Sequence, residues 1–265
     1  MQGPKKAYKN KRFLNSYAAR PVRILSEFLE PESRFNKFKI ENAVVFFGSA
    51  RLQNRETILK EIQALKNQKD KSKLKLLKKQ LEYSRYYDDA SELAKRLTEW
   101  SKTTWPGCHE FPIMTGGGPG IMEAANRGAS SVPKSVNIGL NISLPFEQSS
   151  NPYITRQLNF EFHYFFTRKF WFLNMARVLV VFPGGFGTLD ELFELLTLVQ
   201  TGKVRKRIAI VLFGNEYWEN VVNFDFLVNH GFINEEDLQL FKRFDQVDDA
   251  FQYLQEFLLT LKPKP

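Results

Sequence analysis

Short apolar runs alternate along this chain with longer segments in which apolar residues recur every three or four positions. Two of the runs, residues 43–47 and 178–182, contain no polar side chain. Runs that are apolar on both faces are typical of strands in a parallel sheet that helices cover on both sides. The pattern therefore predicts an α/β fold, a Rossmann-like, doubly wound and mostly parallel sheet with helices on both faces and a helical insertion.

The same pattern places the individual elements. Strands are predicted at residues 43–47, 112–114, 136–142, 157–162, 178–182, 207–213 and 243–247. Helices are predicted at residues 121–127, 167–176, 188–200, 216–229 and 248–261. Ligands of such sheets bind beyond the carboxyl ends of the strands, so the loops that follow the strands are where we expect a site.

The start of the chain differs from the rest. Residues 1–40 are predicted to form a basic N-terminal arm, and residues 41–265 a single Rossmann-like domain. The arm is rich in lysine at first and then holds a short amphipathic stretch, residues 22–29, which ends at Pro31.

A second unusual segment lies inside the domain. Residues 55–100 contain neither glycine nor proline and place leucine and isoleucine at helical spacings. Their middle, residues 66–79, carries seven lysines and one acidic residue. A lysine-rich helical insertion is therefore predicted near residues 55–84, either as a protruding hairpin or as one long exposed helix.

The net charge of +9 is concentrated in the first third of the chain. Residues 1–84 hold 20 basic and 8 acidic residues, whereas residues 85–265 hold 18 and 21. Such a basic segment could contact nucleic acid, but it lacks interleaved aromatic residues and the spacing of a helix-turn-helix or zinc finger. We therefore interpret the charge as a solvated surface and expect no nucleic-acid partner.

Several classes of protein are not expected from this composition. No window approaches the roughly 18 apolar residues of a membrane-spanning helix, and the basic N-terminus lacks the apolar region of a signal peptide. Cys108 is the single cysteine, which excludes an internal disulfide, and we interpret it as structural or inert. The three histidines have no metal-ligand spacing. A soluble, reduced, cytoplasmic protein without a metal is predicted.

The first glycine-rich loop, Thr-Gly-Gly-Gly-Pro-Gly at residues 115–120, lies between a predicted strand and a predicted helix. Glycines let successive backbone N–H groups point into one concavity, and the following helix adds the positive end of its dipole. No Lys-Ser/Thr pair follows, as a Walker A loop needs, and Ile121 stands where the dinucleotide fingerprint needs glycine. Both anion binding and a simple tight turn fit this loop.

The second glycine-rich loop, Pro-Gly-Gly-Phe-Gly at residues 183–187, has acidic residues after it. Thr188 is a natural N-cap for the next helix, and Glu191 follows it at the spacing of a capping box. Glu191 therefore has two interpretations, as a cap that bonds to the Thr188 amide or as a catalytic carboxylate beside a bound phosphate. The spacing leaves both open.

Three segments together resemble the LOG (LONELY GUY) family, whose members are often mislabelled lysine decarboxylases. They are TGGGPGIMEAAN at residues 115–126, TRK at residues 167–169 and PGGFGTLDE at residues 183–191. The PGGxGTxxE pattern with an upstream TRK segment is specific, whereas either glycine loop alone is a weak signal. The resemblance runs from about residue 43 to residue 261 and omits the arm and the insertion.

The resemblance implies a nucleotide-binding homodimer that hydrolyses the N-glycosidic bond of a nucleoside 5′-monophosphate to free base and ribose 5-phosphate. Members of the family act on cytokinin riboside monophosphates, and relatives act on AMP or other purine nucleotides. No metal or organic cofactor is implied. Phe166 stands where many short members carry histidine, so the short members' base specificity does not transfer directly. The longer first segment and the wording of residues 117–123, GGPGIME, resemble the long-chain branch.

Matched position by position, the family's catalytic residues correspond to Arg168 and Glu191. The phosphate-facing loop corresponds to Gly184, Gly185, Gly187 and Thr188, and the opposite wall of the nucleotide site to Gly48, Ser49, Gly116, Gly117 and Gly118. A carboxylate near C1′ would stabilise the positive charge that builds on the sugar. The arginine either orients this carboxylate or clamps the nucleotide.

Other side chains near these motifs have two interpretations each. Lys169 is either a second phosphate contact or a solvated lysine, and Glu123 either reaches the site or stabilises a helix N-terminus. An aromatic cluster could stack on a base, although core or dimer packing is favoured. It comprises Phe165, Phe166, Phe170, Trp171 and Phe172.

Two rival functions remain. Carriers of molybdenum cofactor resemble the same fold and share its glycine loops, so a carrier that binds a phosphorylated ligand without turnover is the first alternative. A nucleic-acid-interacting protein is the second. The presence of both Arg168 and Glu191 favours the enzyme, and no lysine is marked as the Schiff-base residue of a pyridoxal-phosphate decarboxylase.

Overall fold

The computed structural model describes residues 4–65, 70–105, 111–144 and 149–261, and the predicted Rossmann-like α/β fold is confirmed. Within these ranges, seven strands form one sheet in which every pair of neighbours is parallel. Cys108 and His109, which the sequence leads us to interpret as without a special role, lie outside the described residues.

The order of the strands produces a switch point at the centre of the sheet. The strands are β1 (Ala43–Phe47), β2 (Ile113–Thr115), β3 (Asn137–Ile142), β4 (Asn159–Phe162), β5 (Ala176–Val181), β6 (Ala209–Phe213) and β7 (Lys242–Phe244). Their spatial order is β4-β3-β2-β1-β5-β6-β7, so the chain builds outward from β1 and then returns to its other side. Ligands of open α/β sheets bind at the carboxyl ends of the strands where the order reverses, here between β1 and β5.

Helices connect the strands and cover both faces. They are α1 (Lys11–Leu14), α2 (Arg20–Lys37), α3 (Arg55–Leu65), α4 (Lys71–Tyr83), α5 (Arg85–Thr104), α6 (Ile121–Ser130), α7 (Phe165–Met175), α8 (Phe186–Gln200), α9 (Asn215–Val221), α10 (Phe224–Asn229) and α11 (Val247–Leu259). Short 3-10 turns lie at Ala7–Lys9, Tyr17–Ala19, Arg156–Leu158 and Glu235–Leu240.

The central strand β1 contributes side chains to two hydrophobic cores, because successive side chains of a strand point to opposite faces of the sheet. Val44 and Phe46 join one apolar cluster with α5, α6 and α11. Val45 and Phe47 join the other cluster with α7 and α8. All four side chains are buried, and burying one such side chain stabilises the fold by about 1.5–3 kcal/mol.

Helix α2 is longer than the amphipathic stretch expected from the sequence. Pro21 lies in its first turn, where the missing N–H costs nothing, but Pro31 lies inside the helix. The prediction that the stretch ends at Pro31 is wrong. The helix continues because Phe35 is buried against Phe160 and Trp171, and this packing offsets the hydrogen bond that proline removes.

The lysine-rich insertion contains two helices, α3 and α4, that contact one another. They share a small apolar cluster of Ile58, Leu65 and Leu77, which is separate from the two main cores. The segment is therefore a pair of helices and not one long helix. The division of the chain into an arm and a single domain stays a prediction.

The predicted helix at residues 216–229 is in fact two helices, α9 and α10. The side chain of Asn223 accepts a hydrogen bond from Phe226 N at 2.9 Å and caps the N-terminus of α10. Residue Val222 before it has extended backbone, so the first helix ends there. Apolar periodicity does not reveal this break, because it continues across the two helices.

Candidate functional site

The loops after β1 and β5 are joined by backbone hydrogen bonds at the switch point. Phe182 N donates to Phe47 O at 2.8 Å, and Ser49 N donates to Pro183 O at 2.9 Å. Ile121 N, at the start of α6, donates in turn to Ser49 O at 3.1 Å. The Gly48–Ser49 turn is therefore fixed between the two glycine-rich loops.

The first glycine-rich loop packs too closely for side chains at two positions. Gly120 has φ +73°, and a Cβ on it would lie 2.2 Å from Ser49 O. Gly117 has φ +76°, and a Cβ there would meet the Asn141 side chain at 2.2 Å. Both backbone conformations favour glycine, so these residues set the path of the loop.

A buried polar network holds the same loop in place. Thr115 Oγ1 donates to Asn126 Oδ1 at 2.7 Å and accepts from Gly117 N at 3.0 Å. Asn151 Nδ2 donates to Asn126 Oδ1 and to the carbonyls of Gly117 and Gly118 at 3.0–3.2 Å. Sequence reasoning missed Asn151 altogether, because an isolated asparagine in a loop has no distinguishing pattern.

The second glycine-rich loop runs directly into α8, which begins two residues earlier than expected. Gly185 is the residue before the helix, and its carbonyl accepts from Thr188 N at 3.0 Å. The interpretation of Thr188 as the N-cap is therefore wrong, because Thr188 lies inside the first turn. Its side chain packs over Gly184, where a Cβ would lie 2.1 Å from Thr188 Oγ1.

The mouth of this loop is open. Apart from its neighbours along the chain, a Cβ added to Gly185 or Gly187 would meet no atom of the described residues within 4 Å. The first N–H groups of a helix have no partner inside the helix and point outward with the positive end of the dipole. On the inner side, Tyr217 Oη donates to Gly184 O and fixes the loop to α9. The result is a rigid, open turn suited to an anion.

Arg168 and Glu191, the two predicted catalytic residues, are in contact. Arg168 Nη2 lies 3.4 Å from Glu191 Oε1, and the two side chains are only 13% and 6% exposed. The glutamate lies in the second turn of α8, just behind the second loop, and the arginine lies in the first turn of α7. Because Thr188 is not the cap, the capping-box interpretation of Glu191 does not apply.

Burial changes the ionisation of both groups. It raises the pKa of Glu191 from its ordinary value of 4.5 to about 7, although the Arg168 guanidinium opposes this shift. Burial also lowers the pKa of Arg168, although Glu191 and Asp190 oppose this shift. In addition, Arg168 Nε is buried and has no hydrogen-bond partner among the residues that the structure describes. Perturbed, incompletely paired groups of this kind are typical of functional sites.

The first loop lies next to the same pair. A Cβ on Gly116 would lie 3.9 Å from Arg168 Nη1. The structure therefore brings Arg168, Glu191 and both glycine-rich loops to one place at the carboxyl edge of the sheet. Their roles toward a ligand stay predictions.

Lys169 forms ion pairs with two carboxylates of α8. Its ammonium group lies 2.9 Å from a carboxylate oxygen of Asp190 and 2.9 Å from one of Glu194, both on the outer side of α8. These ion pairs and the side-chain hydrogen bonds raise the pKa of Lys169, although burial opposes that shift. Lys169 borders a groove that Phe186 of the second loop also lines, and its role as a phosphate contact stays a prediction.

The remaining candidates divide between core and surface. Glu123, in the first turn of α6, accepts a hydrogen bond from Tyr87 Oη at 3.2 Å. Of the aromatic cluster, Trp171 and Phe172 are buried in the core. The other three members are 44–52% exposed on α7; they are Phe165, Phe166 and Phe170.

Two kinds of feature are absent from the part of the chain that the structure describes. It contains no group of three or more His, Cys, Asp and Glu side chains that could hold a metal ion. Nor does any helix in those ranges have the length and apolar character needed to cross a membrane.

Comparison with known proteins identifies one family and one curated relative. The family model described as "Possible lysine decarboxylase" matches residues 122–254, half of the chain. The cytokinin riboside 5′-monophosphate phosphoribohydrolase LOG of Oryza sativa subsp. japonica is 26% identical over 151 residues, which cover 57% of this chain and 58% of that protein. The chain thus matches less than two thirds of this relative's length.

Among solved structures, similarity is found to the molybdenum cofactor binding protein of the phototrophic bacterium Rippkaea orientalis. The two share 15% identity with a TM-score of 0.44, over 65% of this chain and 88% of that chain.

Proposed function

This chain belongs to the LOG family, which the matching family model describes as "Possible lysine decarboxylase", and we propose that it is a nucleoside 5′-monophosphate phosphoribohydrolase. In the proposed reaction, water cleaves the N-glycosidic bond and releases the free base and ribose 5-phosphate. The substrate is a nucleotide of the AMP type or of the cytokinin riboside monophosphate type, the latter following the name of the rice relative.

The observation that carries this proposal is the buried contact between Arg168 and Glu191 beside two glycine-rich loops. When the bond between C1′ and the base nitrogen breaks, its electron pair leaves with the base and positive charge builds on the ribose. An ionised Glu191 stabilises that charge and accepts a proton from the water that attacks C1′. The departing base takes up a proton from solvent, and Glu191 then returns to solvent the proton that it accepted from the water. A pKa near 7 lets Glu191 both accept and release this proton near neutral pH.

The 5′-phosphate is proposed to bind at the second loop. Gly185 and Gly187 leave the space in front of the first turn of α8 open, and the free N–H groups of that turn favour an anion. Glu191 is carried by the same helix, four residues after Gly187. One rigid element therefore fixes both the phosphate and the carboxylate, and sets the distance between the 5′-phosphate and C1′.

Arg168 is proposed to keep Glu191 in its ionised form and to orient it. The guanidinium is the nearest opposite charge to the carboxylate and remains protonated at neutral pH. The contact with Glu191 is 3.4 Å long, and Nε has no hydrogen-bond partner within the described ranges, which leaves bonding capacity for a hydroxyl or phosphate oxygen of the nucleotide.

We also propose that the enzyme is a homodimer whose interface includes the outer faces of α7 and α8. Phe186 is 93% exposed in the first turn of α8, and Phe193 is also exposed on this helix. A groove between the two helices is lined by Lys169, Phe186, Leu189, Asp190, Phe193, Glu194, Thr197 and Leu198. Exposed apolar patches of this kind mark interaction surfaces on soluble proteins.

The test is the release of free base from a panel of nucleoside 5′-monophosphates, measured by liquid chromatography against the matching nucleosides. We expect release from a monophosphate and little release from its nucleoside. Glu191→Gln should lower turnover by about 10²-fold or more. The control Glu32→Gln makes the same charge change at an exposed glutamate of α2, and should retain most of the activity.

Equal rates on a monophosphate and its nucleoside would contradict the role of the second loop. Normal turnover by Glu191→Gln would contradict the role of the glutamate. Tight binding of a phosphorylated ligand without any release of base would favour the carrier alternative.

A further inference from the structure

The helix that carries Arg168 is capped from outside by the N-terminal helix α2. Glu27 on α2 accepts hydrogen bonds through its carboxylate from His163 N at 2.9 Å and from Tyr164 N at 3.4 Å. The same carboxylate accepts from Thr167 Oγ1. These groups lie at the start of α7, where N–H groups lack helical partners and the dipole favours a negative charge.

Further contacts hold α2 against α7. The backbone carbonyl of Glu27 accepts from Trp171 Nε1 at 2.9 Å, and Phe28 packs edge-on against Phe170 with ring centroids 5.0 Å apart. Arg20 stacks over Tyr164, the residue before α7, at 5.6 Å from its ring centroid. The first turn of α7 is therefore fixed by α2 and not only by the sheet.

Arg168 follows directly after these capped residues. Its backbone N–H donates to Tyr164 O at 3.4 Å, so the arginine closes the first turn of the helix. The guanidinium lies over two rings of its own helix, at 5.2 Å from the centroid of Phe165 and 5.6 Å from that of Phe172. Its contact with Glu191 is long, and its Nε has no hydrogen-bond partner within the described residues. Its position is thus set mainly by the start of α7.

We propose that Glu27 is a positioning residue that places Arg168 against Glu191, which makes α2 a part of the catalytic scaffold. This inference rests on the function proposed above. It assigns a role to a segment that lies outside residues 122–254, the part that the family model matches. Glu27 does not touch the site; it acts through the first turn of α7.

The consequence is electrostatic. Without the Glu27 carboxylate, the first turn of α7 loosens and the guanidinium moves away from Glu191. The charged groups that face Glu191 are Arg168 and Lys169 on α7 and Asp190 and Glu194 on α8. When the Arg168 guanidinium no longer lies near Glu191, burial and the carboxylates of Asp190 and Glu194 raise the pKa of Glu191 further. The acid limb of the pH–activity profile should therefore move to higher pH.

The experiment compares Glu27→Gln with Glu32→Gln, an exposed glutamate on the same helix that carries the same charge change. We expect Glu27→Gln to lower kcat by about tenfold and to change KM by less than about threefold, since small misplacements of a positioned group can cost up to about 10²-fold. Its acid limb should move up by at least about half a pH unit. Glu32→Gln should match the wild type in all three quantities, and Glu27→Asp should recover part of kcat.

A second variant tests the contact from the other side. Thr167→Val removes the hydroxyl that donates to Glu27 but keeps the shape of the buried side chain. We expect the same direction of change with a smaller size. If Glu27→Gln does not fold, Thr167→Val alone tests whether the contact positions Arg168. An acid limb and kcat equal to those of Glu32→Gln in the folded variants would overturn the proposal.

The titration of Glu191 can also be read without turnover. In the protein labelled with carboxyl-¹³C glutamate, the Glu191 resonance is assigned by its loss in Glu191→Gln. A higher pKa of this group in Glu27→Gln than in wild type supports the positioning role, and an unchanged pKa overturns it. A wild type that releases no base from any nucleotide contradicts the proposed function alone, because this titration is still measurable.

Discussion

At the scale of single residues, the molecule buries two opposite charges that only partly satisfy each other. Arg168 and Glu191 meet at 3.4 Å through one pair of atoms, where a bidentate contact would use two. Burial disfavours the charged form of each more strongly than the partner favours it, so the pKa of Glu191 rises and that of Arg168 falls. Both side chains therefore retain hydrogen-bonding capacity that a ligand can use.

A prediction at this scale concerns stability and pH. The pKa of Glu191 is about 7 in the folded protein and near 4.5 when the chain is unfolded, so between these values the folded state holds a proton that the unfolded state has released. Stability from this group is therefore present below about pH 4.5 and is lost as pH rises toward 7. Relative to Glu191→Gln, the wild type should lose about 1–3 kcal/mol of unfolding free energy across this range.

Urea unfolding of both proteins at pH 5 and pH 8 measures this difference. All other titrating groups are common to the two proteins and cancel in the comparison. A difference that stays flat, or that grows in favour of the wild type with rising pH, would contradict the raised pKa.

At the scale of elements, the N-terminus of α8 combines rigidity with open space. The Tyr217 hydroxyl fixes the Gly184 carbonyl, while a Cβ on Gly185 or Gly187 would meet no described atom within 4 Å beyond the adjacent chain. Packing therefore does not require glycine at these two positions. The first loop is different, because Gly120 packs against the backbone of Ser49. We infer that Gly117 and Gly120 of the first loop serve the fold, whereas Gly185 and Gly187 of the second keep space for a ligand.

This difference predicts opposite results for two alanine variants. Gly187→Ala should keep or raise stability by up to about 1 kcal/mol, because alanine favours a helix over glycine. It should raise KM for a nucleoside monophosphate by about tenfold, equivalent to about 1.4 kcal/mol, since the methyl group enters the phosphate space. Gly120→Ala should instead lower the melting temperature, because its φ of +73° and the nearby carbonyl both oppose a Cβ.

Thermal unfolding and steady-state kinetics of the two variants provide the check. If KM of Gly187→Ala equals that of the wild type, the phosphate does not bind against the first turn of α8.

At the scale of the whole molecule, the exposed phenylalanines of α7 and α8 lie on the helices that carry Arg168 and Glu191. A dimer formed through this face would place a partner next to the site. We predict that the wild type elutes as a dimer in size-exclusion chromatography with light scattering. Phe186→Glu should shift it toward monomer, because the variant places a charge in an apolar patch. A monomeric wild type at micromolar concentration would contradict this interface.

The sequence predicts the fold well because the two strands next to the switch point contain runs that are apolar on both faces, residues 43–47 and 178–181, which few other folds require. It also predicts Arg168 and Glu191 through the family resemblance, although they lie 23 residues apart. It does not predict the start of α8. Threonine is a better N-cap than glycine by propensity, so the sequence favours Thr188, but the N-cap residue in the structure is Gly185.

The contacts that support the site are not predictable from local pattern. Glu27 reaches the start of α7 across 136 residues of sequence, and Asn151 reaches the first loop across 34. Both depend on how helices and loops pack in three dimensions. The homodimer and a cytoplasmic location stay predictions.

The most direct measurement of the central claim is a crystal structure of Glu191→Gln with a bound nucleoside 5′-monophosphate. The substitution slows turnover while it preserves the shape of the side chain. We expect the phosphate against the N–H groups of residues 184–187 and C1′ of the ribose next to the side-chain amide of residue 191. A phosphate bound elsewhere, or a ribose that lies away from residue 191, would contradict the account.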